Sequence, residues 1–454
     1  MTRLALVLPI VALAALPSLL EAQTATPLSM SDAISTAMSN NRQLAISRMA
    51  IDNADQQVRE AYSGTLPSVT LNGRYTRNIQ KQVFYFPGSD GITRPIKIGS
   101  DNQVAADITV NQIVYNSAAF NAPDAAESYA KVSRQQLRAD AVQTVYDVKR
   151  AYYGALLARE ALRVNEALLA NSEENLKNAQ QLVKAGLRPE FDQLRAQVQV
   201  ENLRPVVVQA RDSYQQAIDN LKLLLGYTPD HDITLSDSLM RPAAGQKVEP
   251  GIAEATATLE QSNAQVQTLK ALADVNREYI EIKRSDYLPT VSLFGTYQLQ
   301  SQSDNFSGLS FQPSSYVGLN LSYNLFSGGK TDAQMQEARL AWEQSKVKVL
   351  QAQDAMKTQL GIVLRKIDVA RQRVGTADMT ITEAQRAYTI ATTAYKAGTG
   401  TQLQISDADL ALAQSRLNQL NAVYDYSMAL AELEQLMGDR FQMNGSKDVQ
   451  YLGK

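Results

Sequence analysis

The chain has 454 residues, with 44% hydrophobic and 20% charged side chains and a net charge of −2. That balance fits neither a disordered chain nor a basic nucleic-acid binder. With no Cys and one His, His231, it also excludes thiol catalysis, Cys-based zinc sites and paired-His metal motifs.

The first segment reads as an export leader over 1–22. Arg3 precedes an apolar run from Leu4 to Leu20, and a cleavage point follows Ala22. Pro9 and Pro17 argue against an anchor helix, and no later stretch is apolar enough to span a bilayer as a helix. An exported chain of this kind crosses a membrane, if it does, with strands.

Two structural repeats follow, 23–250 and 251–454. "SGTLPSVTLNGRYTRN" from Ser63 is echoed by "SDYLPTVSLFGTYQLQ" from Ser285, and "TVNQIVYNSAAF" from Thr109 by "LSYNLFSGGKT" from Leu321. The Lys-Ala-Gly triplets ending at Gly186 and Gly398 are 212 residues apart, as are Gly226 and Gly438. The offset is larger before the second strand of each pair, so the first repeat carries roughly eleven extra residues there. Each repeat reads helix, strand, loop, strand, long helix, tight turn, helix.

Period-two alternation marks strands at about 68–80, 103–115, 290–301 and 315–326. Val69, Leu71 and Tyr75 share one face against Thr70, Asn72 and Arg74; Val317, Leu319 and Leu321 share one against Gly318, Asn320 and Ser322. About ten residues each, they have the length of a tilted transmembrane strand. Tyr115, Tyr323 and Phe326 near strand ends suit an aromatic girdle, and a soluble sheet with one wet face is the competing reading.

The helices weigh against it. Taking every third and fourth residue from Leu360 to Tyr395 gives Leu, Val, Ile, Ala and Tyr with no charge among them, and the stretch 212 residues earlier repeats the order of large and small. Such heptad seams pack helices side by side. From about Pro123 to Lys184 is roughly 60 residues, or about 90 Å at 1.5 Å per residue, too tall for one globule. Pro123 and Pro189 suit helix starts, Gly186 and Gly398 suit helix ends, and Pro205 predicts a kink. The return helix to Leu225 is half as long. A linker over 226–251 then leads to the next helix, Ile252–Ser285, which reads as its upper continuation; the N-terminal helix, Ser31–Tyr62, would complete the second return.

A four-stranded sheet with an apolar exterior has open edges that lipid forbids, so copies must close it. Two copies give a filled barrel; three give twelve strands and a channel.

At this point the ordered set "LPSVTLNG", "LPTVSLFG", "NLFSGGK", "KAGLRPEFDQL" and "KAGTGTQLQISDADL" resembles the TolC-like outer membrane efflux protein family over the whole mature chain. The resemblance implies an α plus transmembrane β fold. A homotrimer closes a twelve-stranded barrel in outer membrane lipid above a long antiparallel coiled-coil α-barrel in the periplasm. It implies a passive exit duct for small molecules such as drugs, docked by a periplasmic adaptor and driven by an inner membrane transporter, with no cofactor, metal or nucleic acid. A type I protein secretion outlet is the alternative within that reading; a periplasmic coiled-coil scaffold without a pore is the alternative outside it. An enzyme ranks third, as no nucleophile–base set or phosphate loop is visible.

The resemblance also assigns residues. Asp407 matches an acidic ring at the channel constriction, and Gln404, one turn earlier, stands where some members carry a second acid. Tyr395 and Asp192 match a pair that latches the tips. Some members carry a second latch pair at positions where this chain departs on both sides, with Gly400 and Phe191, and Arg188 is a candidate substitute. Gly186, Leu187, Gly398 and Thr399 are the adaptor-docking tips, Asp409 a solvated face residue and His231 a loop residue.

Overall fold

The computed structural model describes residues 26–89, 91–239 and 252–438. The export leader over 1–22 and the linker from 240 onward lie outside them. In chain order come β1 (Thr26–Leu28), α1 (Met30–Asn40), α2 (Arg42–Ser63), β2 (Ser68–Arg77), β3 (Gln82–Pro87), β4 (Thr93–Ile98) and β5 (Asn102–Tyr115). Then follow α3 (Ser117–Lys184), α4 (Glu190–Leu225), β6 (Ile233–Leu235), α5 (Ile252–Ser262) and α6 (Ala264–Arg284). The chain continues with β7 (Thr290–Ser303), β8 (Gln312–Ser322), α7 (Lys330–Lys396) and α8 (Gln402–Met437).

The main sheet has the order β2-β5-β7-β8, antiparallel throughout. Its register aligns the apolar sets of all four strands. Val69, Val110, Gly295 and Val317 form one cross-strand row, and Leu71, Ile108 and Tyr297 begin the next. Leu71 and Val317 are each 75% exposed, so this face has no cover from the described residues. The opposite face is polar. Asn72 donates to Asp107 at 2.9 Å, and the Thr109 and Thr296 hydroxyls lie 3.0 Å apart. Phe294 is the exception on it: its ring lies where a Cβ on Gly318 would come within 2.8 Å. β2 and β8 are each paired on one side only. No described helix is long and apolar enough to cross a membrane.

α3 and α7 have 68 and 67 residues, about 100 Å each. α3 starts at Ser117, a turn and a half before Pro123, because the Asn116 side chain caps the Ala119 N–H at 3.1 Å. α4 runs through Pro205 without a break. All eleven members of the Leu360–Tyr395 seam are buried or partly buried.

The stacking of the half-length helices differs from the sequence reading. α3 packs against α2 and α4, and on its other side against α6 and α8; α7 packs against α6 and α8. So α4 continues upward into α2, and α8 into α6. Two equivalent joints explain it. The Asn41 amide donates to the Leu224 carbonyl at 2.9 Å, while its oxygen caps the Gln43 and Leu44 N–H groups. Asn263 does the same for the Leu436 carbonyl at 3.0 Å and the Val266 N–H. Each Asn satisfies orphan groups from both helix ends that meet. The segment after α4 therefore crosses α3 at mid-height instead of climbing on from α4. There β6 pairs in parallel with β1. Buried Tyr152 reaches the Leu28 carbonyl and the Asp237 carboxylate, and Arg159 donates to the Leu235 and Asp237 carbonyls.

Gly226 and Gly438 end α4 and α8 with φ of 75° and 72°. A Cβ on either would lie 2.5 Å from a backbone carbonyl oxygen, of Asn40 and Ser262 respectively. Gly186 has a similar φ of 70° but open space around it. Gly186→Ala should therefore cost only the left-handed strain, about 1 kcal/mol, and Gly226→Ala at least about 2 kcal/mol because the clash adds to it. Urea unfolding of the two variants checks the order.

Candidate functional site at the helical tips

The end of the rods away from the sheet carries two turns. In the first, Lys184 and Ala185 lead into left-handed Gly186, whose N–H donates to the Val183 carbonyl, and the Leu187 N–H donates to that of Leu182. The second repeats this with Gly398 (φ 85°) and Thr399, whose N–H donates to the Ala394 carbonyl at 3.0 Å. Both are helix terminations that use glycine to satisfy the last carbonyls. Gly186, Leu187, Gly398 and Thr399 are all exposed at these ends.

Arg188, offered by the sequence only as a substitute, joins the two turns. Its guanidinium donates to the Tyr395 carbonyl at 3.2 Å and to the Gly400 carbonyl at 2.9 Å, and lies 4.7 Å from the centre of the Tyr395 ring. One planar cation thus satisfies two backbone acceptors and an aromatic face, geometry that Lys does not reproduce. Gly400 is buried, and a Cβ there would meet the Tyr395 nitrogen at 2.9 Å and Ala394 beyond it. Glycine at 400 thus lets the turn close under Arg188.

Tyr395 is buried, and its hydroxyl has no hydrogen-bond partner of good geometry. Burial raises its pKa first; the nearby Asp192 carboxylate raises it further, and the Arg188 cation opposes them. The expected pair is therefore a proximity of phenol and carboxylate, and the direct bonds between the tips come from Arg188. Phe191 is exposed.

α8 begins with a reciprocal cap. The Thr401 hydroxyl accepts from the Gln404 N–H at 3.4 Å, and the Gln404 side-chain oxygen accepts from the Thr401 N–H at 2.9 Å. Gln404 is thus engaged in the helix start. Asp407 is exposed one turn further on.

Asp409 corrects the sequence reading. It is 3% exposed, not solvated, and accepts from the Asn171 amide of α3 at 3.0 Å, while its other oxygen has no partner. The reason is that α8 is covered by α3 as well as by α7. Ile405, Asp409 and Leu412 are buried at heptad spacing, a signal that was readable in the chain. Burial pushes the Asp409 pKa up to about 6, against the Asn171 hydrogen bond and the Arg416 charge.

A family model described as outer membrane efflux protein matches residues 33–227 and again 255–439. Outer membrane protein TolC of Vibrio cholerae is 25% identical over 95% of this chain and 95% of its own length. The alkaline protease secretion protein AprF of Pseudomonas aeruginosa is 26% identical over 72% of this chain and 68% of its own. Among solved structures, the Campylobacter jejuni CmeC outer membrane channel superposes with a TM-score of 0.76 at 15% identity, covering 92% of this chain and 89% of that one.

The Asp409 carboxyl holds its proton more tightly in the folded chain than in the unfolded one. Its favourable contribution is full below about pH 4 and lost as pH rises through about 6, on the order of 2–3 kcal/mol in all. Asp409→Asn should abolish that slope: the variant gains on the parent between pH 4 and 6 and keeps the gain above. Denaturant midpoints across pH measure this.

Proposed function

Because the chain belongs to the outer membrane efflux protein family, whose model matches both of its halves, we propose the following account of how it works. It is an outer membrane channel that extends into the periplasm. Three copies pair β2 of one with β8 of the next, closing twelve strands around a lumen lined by Thr70, Asn72, Asp107 and Thr296. The supporting observation is the register that puts the apolar sets of all four strands on one uncovered face while both edges stay open. In lipid such edges are satisfied only by closure. The α-barrel below extends the passage by about 100 Å.

In this reading the duct is passive, and energy comes from an inner membrane transporter reached through a periplasmic adaptor that docks at Leu187 and Thr399. Six turns meet at the periplasmic mouth, and three copies of Asp407 ring its opening. Carboxylates crowded in a narrow, poorly solvated aperture repel one another and attract cations. Gln404, held by its cap, adds no charge to that ring. Arg188, seated on Tyr395 and bound to Gly400, ties the two turns of each chain and keeps the mouth narrow. Small-molecule efflux is the cargo reading that the family description favours. Protein secretion is the second, favoured by the likeness to AprF, a protein named for alkaline protease secretion.

Heat-resistant trimers in outer membranes and single-channel currents in planar bilayers test the duct; a soluble monomer without conductance would replace it with a scaffold. In the same bilayers Asp407→Ala should lower cation selectivity and weaken block by divalent ions, and unchanged selectivity would remove Asp407 from the constriction. Arg188→Ala should raise the open probability several-fold, with Arg188→Lys intermediate. An unchanged open probability would end its role as the tie between turns.

A further inference from the structure

The extra residues between the membrane strands of the first repeat fold into the β3–β4 hairpin, which pairs with no third strand among the described residues. Its register sets Phe84 opposite Ile96, Gln82 opposite Ile98 and Phe86 opposite Arg94. Phe84, Phe86, Ile96 and Ile98 therefore share one face, with the two rings 6.4 Å apart, and all four are exposed. A lone two-stranded hairpin is marginal in water, so an exposed face that is apolar at four of its six positions, with Gln82 and Arg94 at its ends, calls for a cover.

The stalk that carries the hairpin is fixed. Lys81 bridges Asp101 at 3.2 Å and Asp304 at 2.7 Å, and the Asn78 N–H donates to the Asp101 carbonyl at 2.8 Å. With Lys81 neutralised in this way, the stalk presents Ile79, which is 96% exposed. Ile79 stands just past the outer end of β2, one open edge of the sheet. Phe311, half exposed, stands just before β8, the other open edge. β2 runs outward and β8 inward, so antiparallel closure brings the top of β2 in one copy beside the start of β8 in the next.

We infer that the β3–β4 hairpin and Ile79 form a clasp between neighbouring copies at the outer rim, covering Phe311 of a second copy. The inference rests on closure of the sheet between copies. Two exposed apolar elements, one beyond each open edge, are buried by the act that pairs those edges. The second repeat has no corresponding hairpin, so each seam carries one clasp.

The chain has no Cys, so introduced thiols report without background. In outer membranes, the Ile79→Cys, Phe311→Cys double variant treated with a short bis-maleimide should give covalent dimers and trimers on denaturing gels, and either single variant should give none. Intact trimers on native gels without that ladder would overturn the clasp and leave closure standing. Absence of trimers in the parent chain would overturn both. Replacing Phe84 and Phe86 by Ser should lower the dissociation temperature of the trimer by several degrees, and an unchanged temperature counts against the clasp. Strong quenching of a fluorophore on Phe84→Cys by brominated lipid would assign the face to the outer leaflet and overturn it.

Discussion

A strand at the edge of a sheet in hydrocarbon leaves a row of N–H and C=O groups with no water to bind, each costing several kcal/mol. The main sheet has two such edges, β2 and β8, and an outer face of Val, Leu and Ile that water disfavours. Neither problem is solvable inside one chain. Most of the molecule's other features follow from meeting both at once. The strands alternate so that one face suits lipid and the other stays polar, as the closure proposed above requires.

The same demand carries into the helices. A wall one helix thick has no core of the ordinary kind, so each rod buries only the seams it shares with its neighbours. That explains the economy of the α7 seam, where large residues recur once per heptad and alanine holds the axes close between them. It also explains why the largest concentration of buried side chains sits at mid-height. There α1, β1 and β6 give the wall a second layer over Tyr152, Leu156, Leu221 and Leu225. The Asn41 and Asn263 joints let two shorter helices act as one lane without leaving helix ends unsatisfied.

At the tips the wall thins again, and polar contacts take over from packing. Arg188 works there because its acceptors are main-chain carbonyls of the second turn, that of Gly400 and that of Tyr395, which also accepts from the Gly398 N–H. Asp409 shows the other side of that economy. A carboxylate in a seam keeps one good hydrogen bond and loses the rest of its solvation, which is why its proton is held up to about pH 6.

The doubling at 212 residues was visible as repeated motifs, and features with a short repeat were written in the chain as well: period two in the strands, period seven in the rods and glycine at left-handed turns. Each of these short-range features is set by local backbone geometry, so each is visible in local sequence. The tips themselves were legible for the same reason, at Gly186 and Gly398. The tertiary structure alone decided which half-length helix stacks on which, because Asn41 and Leu224 are distant in sequence and meet only when α3 stands between the returns. It alone made Arg188 the tie, since its partners lie about 210 residues away. The heptad spacing of Ile405, Asp409 and Leu412 marked a seam in the chain, but the tertiary structure decided that α3 closes over Asp409, because a helix with two neighbours hides two faces.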